Sequence, residues 1–410
     1  MLRFAIFSVL FVLALCLPVQ AVGECSQARL EQAANRVRDV QTILLATRVG
    51  SMDPSIPPEI RPQIRAMKDA LAAAVDLEMN CLQGAFVNAE TLQDQLSALL
   101  GANKPQRPAY NSAEEVPAEV DNIFGADLKI SVSKPAAGAN LVGVQLSFGV
   151  ACGHDTMLLL YTRQAEEWRQ VLRWQSEDYR AASGAFGDLF QYLVFPGKIP
   201  DEWTAVVKHG TPSCTSCWSS FDIDVLDTAH GAAPQKLQLH RKEGYYRCED
   251  DGAGLMRRVD GFEIRVRDMS IDPGVWARKV IYRYRIVGSD VERVQPVALN
   301  VRDFVDVWLW AKWNEAAAWS APENLQSLEK EHSRLTKLRN FEPPAESVIM
   351  GFGAVQSCSN DSKGFQVTLD LDPGAPVYFA VREGAGSFTM LSASDRRDPT
   401  CEGPDIVQKP

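Results

Sequence analysis

The chain has 410 residues, 46% of them hydrophobic and 23% charged, with 27 Gly, 23 Pro and a formal charge of −10. That composition suits a large globular core and excludes a coiled-coil rod, a collagen-like chain and a mostly disordered one. The acidic balance argues against a broad nucleic-acid footprint, so no nucleic-acid partner is expected.

The N-terminus predicts export. Arg3 supplies a short positive region, Phe4 to Leu17 form an apolar stretch, Pro18 breaks it, and Val19-Gln20-Ala21 offers small residues to a signal peptidase. Residues 1–21 therefore read as a cleaved signal peptide, with the mature chain beginning at Val22 and ending up secreted or periplasmic. Leu15 before Cys16 is too bulky for a lipoprotein site. The apolar stretch is short for a bilayer span and no second one follows, so no integral membrane anchor is expected after cleavage. Of the nine cysteines, eight remain without Cys16: Cys25, Cys81, Cys152, Cys214, Cys217, Cys248, Cys358 and Cys401. An even number in an exported chain predicts disulfides, though eight cysteines allow 105 pairings.

Residues 26–48 carry Leu30, Ala33, Val37, Val40 and Leu44 at helical spacing, and Glu59–Leu82 carries Ile60, Ile64, Met67, Leu71 and Ala74. The turn Ser51–Pro58 between them makes an antiparallel hairpin, which brings Cys25 beside Cys81 and pairs them. Asn88 caps a third helix with Leu92, Leu96 and Leu99. This gives a helical domain over 22–101, followed by a proline-rich linker over 102–125.

The period then changes to two. Val144, Leu146, Phe148, Val150 and Cys152 alternate as a half-buried strand, and His154–Arg163 is apolar on both faces. Further strands are expected at Trp168–Gln175, Phe190–Phe195, Trp203–His209, Ser219–Asp227, Lys236–His240, Phe262–Arg267, Lys279–Val287 and Val291–Val297. They form an antiparallel β domain over 126–300, a sandwich, barrel or propeller-like sheet. Two helices are inserted over 301–340. The first is Val301–Trp319, and the second starts at the capping-box pattern Ser320-Ala-Pro-Glu323. A C-terminal β segment over 341–410 holds Cys358 and Cys401 at its ends, which pairs them. The fold class is α+β.

Candidate sites are few. Cys214-Thr-Ser-Cys217 with Cys152, His154 and Cys248 has some zinc character, but a second C-x-x-C is missing and export favours oxidised pairs. No metal and no cofactor is expected. Nor is there a nucleophile elbow, a metal-binding H-E-x-x-H or a phosphate loop. His209 shares the inward parity of Trp203 and Val207, as a core histidine would, whereas His240 alternates outward. Asp222 and Asp224 lie on one side of a strand, read as a solvated face. Glu249-Asp250-Asp251-Gly252 reads as an acidic turn, and Asn360-Asp361-Ser362 fits a glycosylation sequon. Phe304, Trp308, Trp310, Trp313 and Trp319 cluster too widely for one buried stripe, and burial at a domain junction is expected. Trp308, Trp310 and Trp313 are the candidate binding residues, with Trp310 the one expected to be exposed.

These features point to an exported, disulfide-stapled protein that binds a protein or glycan partner without catalysis. The alternatives are an extracellular hydrolase with its site near His154 and Asp155, and a structural or assembly component docking through its N-terminal helices.

Overall fold

The computed structural model describes residues 25–47, 56–82, 87–103, 124–136, 140–150, 153–175, 190–197, 199, 201–211, 218–228, 235–246, 254–275, 277–287, 290–294, 298–340 and 348–406. For 153, 211, 218–220, 235–246 and 290 it describes the backbone alone. The expected signal peptide, nearly all of the expected linker, the acidic turn at Glu249 and Cys152, Cys214, Cys217 and Cys248 lie outside these residues.

Among the described residues the fold is α+β, with six α-helices and four antiparallel sheets. Helix α1 (Gln27–Leu45) starts where the Ser26 hydroxyl accepts from Arg29 N at 3.3 Å, and α2 (Arg61–Cys81) has Pro62 in its first turn. Their apolar stripes meet in one core that includes Val37, Leu44, Ile64 and Leu71. Cys25 and Cys81 are disulfide-bonded with their Cα atoms 5.2 Å apart, as the hairpin geometry requires. In α3 (Ala89–Leu100) the Asn88 carboxamide oxygen accepts from Glu90 N at 2.9 Å. Gly101 ends that helix at φ 67°, a left-handed conformation that a Cβ would strain.

Each sheet is a meander of four consecutive strands. Sheet I comprises β1 (Lys129–Ser133), β2 (Leu141–Val150), β3 (Gly153–Gln164) and β4 (Glu167–Gln175). Sheet II comprises β5 (Gln191–Pro196), β6 (Trp203–Thr211), β7 (Trp218–Asp227) and β8 (Gln235–Tyr246). Sheet III comprises β9 (Gly254–Arg258), β10 (Gly261–Met269), β11 (Ala277–Val287) and β12 (Asp290–Val294). Sheet IV comprises β13 (Ile349–Cys358), β14 (Asp361–Asp372), β15 (Val377–Glu383) and β16 (Phe388–Ser394). Of the three expected architectures, the propeller-like one has this sheet unit.

The apolar faces show how these layers pack. Val142, Val144, Leu146 and Phe148 of sheet I share a core with the helical hairpin. The other face, with Leu158, Leu160, Leu172 and Trp174, shares a second core with Ala205, Val207 and Leu226 of sheet II. Strand β2, which reads as half-buried, is therefore covered on both sides, and even Ser147 is buried. Gly143 is needed there, because a Cβ would collide with the Tyr192 hydroxyl from sheet II. The second face of sheet II (Val206, Phe221, Ile223) joins Phe262 and Ile264 of sheet III in a third core. That core also holds the later helices and sheet IV.

The segment 301–319, expected as one helix, is two: α4 (Val301–Trp310) and α5 (Trp313–Ala318). Ala311 and Lys312 are extended, with ψ near 154° and 150°, which interrupts the hydrogen-bond ladder. The break turns Trp313 back to meet Trp308 edge-on at 6.4 Å. The expected capping box at Ser320 is not formed. Its hydroxyl accepts from Trp308 Nε1 at 3.0 Å and donates to the Ala316 carbonyl, and helix α6 (Leu325–Arg339) begins only after a 3₁₀ turn. Cys358 and Cys401 are bonded across sheet IV.

Candidate functional site

Adjacent residues of a strand face opposite sides, and this separates His154 from Asp155. Asp155 points into the helix-facing core, where its carboxylate lies 2.6 Å from Lys68 Nζ of α2, both side chains 0% exposed. His154 has the opposite parity, toward sheet II. The two therefore do not converge, and Asp155 is committed to a structural ion pair. Around it, Arg173 reaches Asp69 at 2.5 Å and the Tyr161 hydroxyl donates to Asp76, so α2 is fastened to sheet I at three points. Burial, and then the Asp76 carboxylate, hold the Tyr161 phenol well above its ordinary pKa.

His209, Asp222 and Asp224 do come together, on the face of sheet II that packs against sheet I. His209 lies opposite Asp222 in the β6–β7 register. Its Nε2 is 3.3 Å from Asp224 Oδ2, and Trp174 Nε1 of sheet I donates to that same oxygen at 2.6 Å. The Trp174 and His209 rings are 4.9 Å apart. Asp224 is 1% exposed, so the solvated face expected for it is corrected. Its side chain faces out of sheet II, but sheet I covers that side. Chemically the arrangement fixes an imidazole against an oriented carboxylate between two sheets.

The aromatic helix region forms a junction between sheets III and IV. Trp308 is fully buried against Trp313, His332 (4.8 Å) and Phe379 (6.0 Å). His332 Nε2 donates to the Trp308 carbonyl at 3.1 Å, and burial lowers the pKa of that imidazole. Trp319 is buried as well. Trp310, expected to be exposed, is partly buried with the Arg339 and Arg278 guanidiniums 4.4 and 5.3 Å from its ring centre. Trp313 is partly buried on His332. Trp308 thus offers a partner no surface, and Trp310 offers one only beside two arginines.

Beneath Trp310 lies a buried ionic hub. Asp306 accepts from the Ser270 hydroxyl at 2.6 Å and lies 3.4 Å from Arg278, which also approaches Asp268 at 3.5 Å. Nearby, burial pushes the Asp303 carboxyl up to about 6, an effect that Arg302 opposes and Asp306 reinforces. A carboxyl whose folded-state pKa lies above its unfolded value of 3.8 favours the fold while protonated. That contribution is complete below the unfolded value and is lost as pH rises toward about 6. Asp303→Asn should therefore gain stability relative to the parent across this window. Urea denaturation at pH 4 and pH 7 measures it, and an equal difference at both would contradict it.

The outer face of sheet III was not among the expected sites. Gly261, Glu263, Arg265 and Arg267 of β10 pair with Arg285, Arg283, Ile281 and Lys279 of β11, and Arg258 of β9 joins the same face opposite Gly261. At its centre Glu263, 1% exposed, meets Arg265 at 2.8 Å, Arg283 at 3.2 Å and Arg258 at 3.6 Å. Six cationic side chains thus share a face with Glu263 and Glu292. The alternation was visible in Ile264-Arg-Val-Arg267 and Tyr282-Arg-Tyr-Arg285, where every second residue is arginine. Comparison with protein-family models, curated proteins and solved structures finds no match to this chain.

Proposed function

We propose that this is an exported, disulfide-stapled protein that binds an anionic protein or glycan partner without catalysis, through the outer face of sheet III. The observation that carries the reading is the concentration of six cations on one sheet face of a chain whose net charge is −10. A charge distribution so opposed to the chain's average focuses a positive potential locally. Guanidinium forks suit planar carboxylates and sulfates, and the shared Glu263 holds three of them in place before a ligand arrives. The two disulfides support an oxidising compartment. No helix among the described residues is long and apolar enough to cross a membrane. The hydrolase reading has less support, since His154 and Asp155 diverge.

The test is chromatographic. At low salt and pH 7 the protein should be retained on a sulfonate matrix despite its negative charge. The double variant Lys279→Glu/Arg285→Glu should elute at clearly lower salt with an unchanged circular-dichroism spectrum. Passage of the parent protein straight through the matrix would refute the reading.

A further inference from the structure

We propose that the ligand of this face is an acidic polysaccharide, a chain of uronic-acid sugars lying along β10 and β11. This rests on the binding role just proposed and narrows its ligand. One end of the face carries a cavity of ≈ 330 Å³ lined by Arg265, Arg267, Lys279, Met256, Ile281 and Leu299. Its size falls at the small end of ligand pockets, which span roughly 300–1,000 Å³. The lining pairs three cations with apolar side chains: Ile281 is buried and Leu299 is 54% exposed. A uronic sugar has matching parts, with C–H groups across its ring and one planar carboxylate that a guanidinium binds in bidentate fashion.

The cations do not stop at the cavity. From Arg267 to Gly261 the face runs about 20 Å along the strand at ~3.3 Å per residue, with Arg283, Arg258 and Arg285 beyond the cavity. A single sugar acid would leave those three uncontacted, whereas a polymer with a carboxylate on each unit would engage them together and gain avidity. An acidic protein partner fits less well. Stable protein interfaces place apolar anchors at the centre and deplete charge there, whereas the centre here is Glu263 with its three arginines and the apolar residues sit at one end.

The experiment titrates the full chain with polygalacturonate, monomeric galacturonate, poly-L-glutamate and neutral dextran at about 50 mM salt. Polygalacturonate should bind most tightly, with log affinity falling linearly against log salt. Dextran should not bind. Arg267→Gln and Lys279→Gln, measured separately beside their thermal midpoints, should each weaken polygalacturonate on the order of several-fold, as loss of one counterion-releasing contact does. If either variant fails to fold, the other carries the test, and the four-ligand ranking on the unmodified chain stands without them. Equal or tighter binding of poly-L-glutamate would overturn the glycan assignment while leaving the cationic-face reading intact. Equal affinity for the monomer would overturn the polymer. No binding of either polyanion would overturn both readings.

Discussion

Trp308→Ala should lower the free energy of unfolding by about 3–5 kcal/mol, the range for large aromatic deletions from a core. The side chain is 0% exposed and touches three different elements, through Trp313 of α5, His332 of α6 and Phe379 of β15, and also Ser320 through its indole N–H. Truncation would leave a cavity that no single neighbour can fill, since each is held by its own element. It would also remove the donor to Ser320, whose hydroxyl already serves the Ala316 carbonyl. Trp310→Ala should be milder, because its ring is partly exposed and Arg339, the nearer of its two guanidinium neighbours, is itself only partly buried. Urea denaturation of both variants decides it. A loss under about 1 kcal/mol at Trp308, typical of less buried positions, would contradict this account of the junction.

Asp155→Ala should be as damaging for a different reason. It strips the carboxylate from an ammonium that is itself 0% exposed, and breaking a buried pair on one side costs about 3–5 kcal/mol. Replacing both partners, as Lys68→Met/Asp155→Leu, removes the stranded charge and should recover most of that loss. A double-mutant cycle over the four proteins isolates the coupling. Equal destabilisation in the double and single variants would mean that shape, and not charge, governs the site. The result also bears on function, because an Asp155 whose loss chiefly unfolds the protein is a poor candidate for acid–base work.

Much of this architecture is legible from local pattern. The helical hairpin follows from apolar residues at steps of three and four, and the Cys25–Cys81 bond from the hairpin's own geometry. Period-two alternation marks the strands, although β1 and the short β9 lack enough apolar residues to announce themselves. What failed depends on distant partners. Nothing between Val301 and Trp319 breaks a helix by composition, so the turn at Ala311 reflects the packing of Trp313 on Trp308. Ser320 has the residue type of an N-cap, but a tryptophan twelve residues earlier takes its hydroxyl. Asp224 looks solvated within its own strand and is buried only because sheet I lies on top. The arginines of β10 and β11 needed no distant partner. Their sign was plain in the alternation, and only the register between the two strands turns separate positive residues into one face.

The order of the layers has a consequence for how the chain reaches this state. Each described core joins segments that follow one another in the chain: hairpin with sheet I, sheet I with sheet II, and sheet II onward with sheet III, the helices and sheet IV. Short loops close at little entropic expense, so such a chain can add one layer at a time onto a finished surface as it is made, N-terminus first. In a linear array of repeats the outermost units have fewer stabilising interfaces than the inner ones, and among the described residues the hairpin and sheet IV each take part in one core. The two bonded cysteine pairs fall in those layers, Cys25–Cys81 in the hairpin and Cys358–Cys401 across sheet IV. Covalent closure there restrains these two layers, while sheets I and II are held by burial on both faces.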